Sequence, residues 1–312
     1  MKTRPFKQVD VFSAVSYLGN PLAVVLDGTG LSSEQMQHFA HWTNLSETTF
    51  LLPPSLEGTA AGADYRVRIF TPAAELPFAG HPTLGSCHAW LEAGGTHNAT
   101  NEIIQECAVG LIRIRRDGTR LAFAAPPLTR SSPSPALLAQ VTAALGLQPH
   151  QILAAQLLDN GPVWLGLLLD KTETVLQLTP DHLALKHIGQ KVGVAAVESA
   201  PEATILIARS NREARAFGPR STELALAVSA PTEFEVRAFA APVGIHEDPV
   251  TGSLNASLAQ WLIADGHAPS VYVASQGTCL GRAGRVYLAQ DTEGQVWVGG
   301  DATTCIDGRV NL

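Results

Sequence analysis

One pattern occurs twice in this chain, about half a chain apart, and it limits the possible folds more than any other feature. Tyr65-Arg66-Val67-Arg68-Ile69-Phe70 leads through Thr71-Pro72 to Gly80-His81-Pro82-Thr83-Leu84-Gly85-Ser86. Phe234-Glu235-Val236-Arg237-Ala238-Phe239 leads to Asp248-Pro249-Val250-Thr251-Gly252-Ser253. The strand-like parts are offset by 169 residues and the Pro-x-x-Gly-Ser parts by 167. This registration sets His81 on Asp248, Pro82 on Pro249, Gly85 on Gly252 and Ser86 on Ser253. A repeat of this length is too long for a solenoid unit. It implies two similar domains related by a pseudo-two-fold axis, with two polar helix starts as the walls of one cleft.

A chain of 312 residues has room for two domains, each with its own core. Hydrophobic residues make up 46% and charged residues 16%, a globular composition and not a disordered one. The net charge of -7 argues against a nucleic-acid partner, because no excess of Lys and Arg is available to neutralise phosphates. Met1 to Phe6 runs into strand-like Val9-Asp10-Val11-Phe12 without an apolar targeting region, and no apolar run approaches bilayer length. Cys87, Cys107, Cys279 and Cys305 are scattered without metal-type spacing, so no metal is expected and the thiols are expected reduced and mostly buried. A soluble, cytoplasmic protein is expected.

Local signals give the order of elements. Ser32 with Gln35 is a capping box ahead of a helix over residues 33–43. Tyr65 to Phe70 alternates apolar and charged residues, the mark of a half-buried strand. Leu84, Cys87, His88 and Leu91 have helical spacing, as do Leu254, Leu258, Trp261 and Leu262 before Asp265-Gly266. A helix over 135–145, a buried strand over 163–169, a short helix over 182–187 and a strand over 203–208 are also expected. The four prolines and several serines between Ala124 and Pro135 mark a linker. The resulting domains are 1–125 and 126–296, with residues 297–312 returning to the first. Strands plus one long helix per half give an α+β fold.

Asp248-Pro249 reads as a helix start with Asp at the N-cap and Pro in the first turn, so capping alone can explain Asp248. His81 is a poor capping residue, and its ordinary pKa lies nearest neutrality of all side chains, so packing and function stay open for it. Gly85 and Gly252 in the first turns cost about 1 kcal/mol each against alanine. Close approach of a ligand or of another backbone would offset that cost, with Ser86 and Ser253 adding hydroxyls. Two helix N-termini facing one cleft suit a carboxylate. Glu47 lies in a short polar stretch, either as a solvated loop residue or as a proton-transfer group raised by desolvation. Glu75 and Glu247 are lone carboxylates beside turns. Ser253, His81 and Asp248 lack the nucleophile elbow of a hydrolase, and no phosphate-binding glycine motif is present.

Several motifs together resemble the PhzF family. They are Asp10-Val11-Phe12, Gly19-Asn20-Pro21-Leu22-Ala23-Val24-Val25, Asn44-Leu45-Ser46-Glu47-Thr48-Thr49-Phe50, Glu75 to Gly85, Glu247 to Ser253, and Ser275-Gln276-Gly277 with Gly281-Arg282. The resemblance implies a diaminopimelate-epimerase-like fold, in which two pseudo-symmetric halves each curl a mixed sheet around a central helix. It implies a homodimer that uses no cofactor and acts on a small carboxylated metabolite. The family's namesake isomerises trans-2,3-dihydro-3-hydroxyanthranilate. Carried over by motif, Glu47 takes and returns the proton, and His81, Asp248 and Ser253 hold or protonate the substrate. Asn20 and the backbone around Gly80, Gly85 and Gly252 bind it. Related racemases use two opposed cysteines, a pair this chain lacks, since Cys87 aligns with Leu254. An amino-acid or hydroxy-acid epimerase and a non-catalytic metabolite-binding protein are the alternatives.

Overall fold

The computed structural model describes residues 1–97, 102–197 and 232–312. The strand expected over 203–208 lies outside the described residues. Among the described residues, eighteen strands join into one continuous sheet, and the same series of pairings occurs in both halves. In the first half, Asn20–Val25 pairs with Thr3–Val11 on one side and runs parallel to Glu47–Leu52 on the other. Tyr65–Phe70 then pairs antiparallel to Glu47–Leu52 and parallel to Glu102–Cys107. In the second half, Val163–Leu169 pairs with Ile152–Asp159 and runs parallel to Lys191–Val197. Phe234–Ala240 pairs antiparallel to Lys191–Val197 and parallel to Val271–Gln276. Arg120–Ala124 and Val296–Gly300 join the halves edge to edge.

Ala302–Asn311 returns to pair along the whole of Thr3–Val11. The proline-rich segment is more than a linker, because Thr129–Ser131 pairs with Leu157–Asp159.

Each half curls around one nearly fully buried helix, Gly80–Glu92 and Gly252–Ala264. Alternation decides which strand residues face these helices. Tyr65, Val67 and Ile69 point inward, as do Phe234, Val236, Ala238 and Ala240, whereas Phe70 and Phe239 point to outer clusters. The outer cluster of the first half is covered by the helix Ser33–Thr43, whose capping box at Ser32 and Gln35 forms as expected. That of the second half is covered by the helices Pro135–Leu145, Thr172–Gln177 and His182–Ile188.

The repeat registers differently from the sequence alignment. Neither His81 nor Asp248 caps a helix: the caps are Ala79 and Thr251, and neither makes a side-chain capping bond. His81 is the second helical residue, and Asp248 ends the strand Ile245–Asp248. The true counterparts are Gly80 and Gly252, the first residues of their helices, 172 apart. A Cβ on Gly252 would lie 3.1 Å from the Gly80 Cα, and one on Gly80 would lie 3.2 Å from the Gly252 Cα. Backbone touching backbone across the pseudo-axis is therefore what these two glycines serve. Gly85 lies in the second turn, beyond the free N–H groups of a helix start, and faces the Val11 and Leu22 side chains, where a Cβ would clash. Ser86 also turns away, donating to Thr49 Oγ1 inside the core at 2.9 Å.

Candidate active site

The two helix starts meet at Gly80 and Gly252, and the titratable groups collect where they meet. Glu47 opens the strand Glu47–Leu52, and its side chain is only 14% exposed. His81, in the first turn of the first central helix, is 5% exposed. Glu47 Oε2 and His81 Nε2 lie 3.5 Å apart, and neither atom has a hydrogen-bond partner within the protein. Leaving buried polar atoms unpaired costs about 1–3 kcal/mol each, so a fold that keeps two of them face to face keeps them for a reason.

Asp248 stands opposite, on the second half. Its Oδ2 accepts from Thr251 Oγ1 at 2.5 Å and its Oδ1 from Asn20 Nδ2 at 3.1 Å. The other bond from Asn20 Nδ2 goes to the Val250 carbonyl at 2.9 Å, and His81 Nδ1 lies 3.5 Å away. Asn20 is fully buried, and its amide is already committed to protein partners. It therefore acts here as a tie between the halves that aims Asp248. Gln276 completes the support. It donates to the Asp248 carbonyl at 3.1 Å and to Thr251 Oγ1 at 3.0 Å, and it accepts from the Thr251 N–H and from Asn255. Ser253 Oγ accepts from the Trp164 indole at 3.2 Å, which leaves its own proton free to be donated.

Burial sets the protonation states. Desolvation raises the Glu47 carboxyl to about 7, against a small opposing pull from the Ser46 hydroxyl. Desolvation also raises Asp248 to about 6, with the nearby Glu47 charge adding to the rise and His81, Thr251 and Asn20 working against it. Burial lowers His81 to about 4, only partly countered by Asp248 and the Pro21 carbonyl. Near neutral pH the site therefore holds two carboxyl groups that exchange protons easily and one neutral imidazole. Cys87, buried in the helix that carries His81, is pushed up by desolvation to about 12 and cannot serve as a thiolate base.

The N–H groups of Gly80, His81, Gly252, Ser253 and Leu254 lie in the first turns of 13-residue helices, where no carbonyl of the same helix can accept them. They supply a positive pole for a carboxylate. Among the described residues, no three His, Cys, Asp or Glu side chains form a metal-type group. A shallow surface hollow of about 570 Å³ lies beside Gln37, His41, Phe70 and Pro72. It is open, and none of the site residues lines it.

The structure thus brings Glu47, His81, Asp248, Ser253, Asn20, Gly80 and Gly252 together and leaves Gly85 outside. Sequence reasoning missed Thr251, Gln276 and Trp164. Gln276 was within reach, since Ser275-Gln276-Gly277 is part of the motif set.

Comparison with known proteins bears on family and fold. The chain is 35% identical to Antisense-enhancing sequence 1 of Schizosaccharomyces pombe, covering 99% of both chains. It is 30% identical to the trans-2,3-dihydro-3-hydroxyanthranilate isomerase of Pseudomonas aeruginosa, covering 97% of this chain and 98% of that one. A PhzF-family phenazine biosynthesis protein from Bacillus anthracis superposes over 100% of both chains with a TM-score of 0.78 at 20% identity. Residues 9–308 match the profile of the family described as Phenazine biosynthesis-like protein, PhzC-PhzF, and the chain belongs to that family.

Proposed function

We propose that this protein is a cofactor-independent isomerase of the PhzF type. It moves a proton between two carbons of a small, carboxylated, cyclic substrate such as trans-2,3-dihydro-3-hydroxyanthranilate. The observation that carries this reading is the buried, unpartnered pair Glu47 Oε2 and His81 Nε2, 3.5 Å apart beneath two helix starts. The first-turn N–H groups hold the substrate carboxylate and fix the ring. Glu47, half ionised near pH 7, removes a proton from one ring carbon as the double bond shifts. The same carboxyl, its proton exchanging with solvent, then protonates the second carbon, so no net proton, electron or bond partner is consumed. Neutral His81 and the Asp248 carboxyl hold the polar substituents, with Ser253 donating its hydroxyl proton.

Incubation with trans-2,3-dihydro-3-hydroxyanthranilate in deuterated water tests this. Conversion with deuterium entering a ring position is expected, and absence of both conversion and exchange removes this substrate.

A second reading, epimerisation of an amino or hydroxy acid, draws support from Asp248. Its carboxyl is raised to about 6 and responds to the Glu47 charge, so two acid/base groups share one site. Deuterium entering an α-carbon with inversion would select it. The homodimer implied by the family resemblance is part of the proposal, and sedimentation equilibrium tests it.

A further inference from the structure

Asp248 reaches the cleft through an irregular piece of sheet. In the first half, Ile69 pairs with Leu76 and Phe70 with Glu75 in regular register. In the second half, Ala238 pairs with Asp248 but Ala240 with Ile245, so His246 and Glu247 together oppose the single residue Phe239. This is a β-bulge, a device that re-aims side chains. Ala238 and Ala240 face inward, and the bulge therefore turns Asp248 inward and Glu247 outward. Continued without a bulge from the pairing of Ala240 with Ile245, the register would place Glu247 opposite Ala238, facing the cleft.

A forked ion pair holds the outward residue. Arg237 Nε donates to Glu247 Oε1 at 2.9 Å and Nη2 to Oε2 at 2.8 Å. The two side chains are 6% and 8% exposed. The third arm of the guanidinium is anchored as well, with Nη1 donating to the Val175 and Leu178 carbonyls at the end of the helix Thr172–Gln177. The same fork occurs at the equivalent place in the first half. There, Arg68 Nε donates to Glu75 Oε1 at 2.7 Å and Nη2 to Oε2 at 2.6 Å. That copy is more exposed, at 24% and 38%, and the inward residue beside it is Leu76. The repeat thus keeps one fastening in both halves, buries it only in the second, and there sets it beside an acid.

We propose that Arg237 is a positioning residue whose fork to Glu247 fixes the bulged register of Ile245–Asp248. The fork thereby selects Asp248, and not its neighbour Glu247, as the carboxylate facing the cleft. This deepens the isomerase reading and rests on it for the role of Asp248. A switch between these adjacent carboxylates would insert one extra methylene between backbone and acid, and would lose the bonds from Thr251 and Asn20. A displacement of that size costs on the order of 100-fold in turnover.

The test uses Arg237→Lys, which keeps the buried charge and loses the fork, beside Arg68→Lys in the other half. With trans-2,3-dihydro-3-hydroxyanthranilate, Arg237→Lys is expected to lower kcat and kcat/KM by about 10- to 100-fold. Arg68→Lys should keep wild-type kcat. The double variant Arg237→Met/Glu247→Met, which removes both charges at similar bulk, should show the larger loss.

A second readout needs no substrate. The carboxyl carbon-13 resonance of Asp248, assigned with Asp248→Asn, should change its titration midpoint in Arg237→Lys and keep it in Arg68→Lys. An Asp248 titration unchanged in Arg237→Lys, or equal effects from the two arginine variants, overturns the proposal. If the wild-type protein does not convert the substrate, the isomerase reading fails for that compound, while the carbon-13 titration still decides the role of Arg237.

Discussion

Replacing Glu47 with Gln keeps the shape of the side chain and removes its proton site. Burial holds this carboxyl at about 7, against a usual 4.5 in the unfolded chain. Between those two values the folded protein keeps a proton that the unfolded chain has already released. Stability therefore falls as pH rises through this window, and the loss is complete above about pH 7. At about 1.4 kcal/mol per pH unit between the two values, the full loss is about 3 kcal/mol. Only 14% of the side chain is exposed, so solvent screens little of it. Gln does not titrate, so the variant should match the wild type near pH 4.5 and exceed its stability by about 3 kcal/mol at pH 8. Loss of the Glu47 charge also relieves Asp248, which reinforces the same sign. Urea unfolding midpoints measured at half-unit steps from pH 4.5 to 8 read this difference directly. The variant should at the same time lose about 100-fold or more in kcat. Parallel stability curves for the two proteins would refute the reasoning, because Glu47 would then titrate alike in folded and unfolded chains. Full activity in the variant would remove Glu47 from the chemistry.

His81 should show the opposite slope. Its folded value of about 4 lies below the usual 6.5, so its contribution is present above pH 6.5 and lost as pH falls towards 4. His81→Gln should flatten that acid limb in the same unfolding series. Gly80→Ala places a Cβ 2.6 Å from Phe123 Cζ and 3.2 Å from the Gly252 Cα. Thermal unfolding should show a loss of about 1–3 kcal/mol, together with slower turnover as the two helix starts are pushed apart. An unchanged Tm would mean that the close approach tolerates a side chain. Trp164→Phe removes the indole donor to Ser253 Oγ and should raise KM by about 3- to 10-fold, the scale of one hydrogen bond. An unchanged KM would take Ser253 out of substrate binding.

Elements governed by local interactions were legible in the sequence. Ser32 and Gln35 announce the helix Ser33–Thr43 because both bonds of the capping box lie within four residues. Tyr65–Phe70 declares itself through alternation, since one face meets the core and the other does not. The central helix starts were misplaced because Ala79 and Thr251 carry no capping bond, while the neighbouring prolines imitate a start. The bulge at His246 and Glu247 and the turn Ala241–Val243 shift the repeat register without any compositional mark. Glu75 and Glu247 looked like isolated carboxylates until the fold brought each beside an arginine on the adjacent strand. The chemical set Glu47, His81, Asp248 and Ser253 came from motif resemblance. Thr251 and Trp164 show their roles only when the two halves are folded together.

The pairing of Ala302–Asn311 with Thr3–Val11 bears on the order in which the molecule can be built. During synthesis Thr3–Val11 emerges long before Ala302–Asn311, so one of its two edges waits without that partner while the intervening chain is made. An unpaired edge is a template for wrong partners, and a contact spanning nearly the whole chain closes slowly. The first half therefore cannot reach its final form ahead of the second, as a simple two-domain chain would allow. Nascent chains stalled before residue 302 should be sensitive to protease in both halves. The cleft between the halves becomes whole only when Thr3–Val11 and Ala302–Asn311 meet.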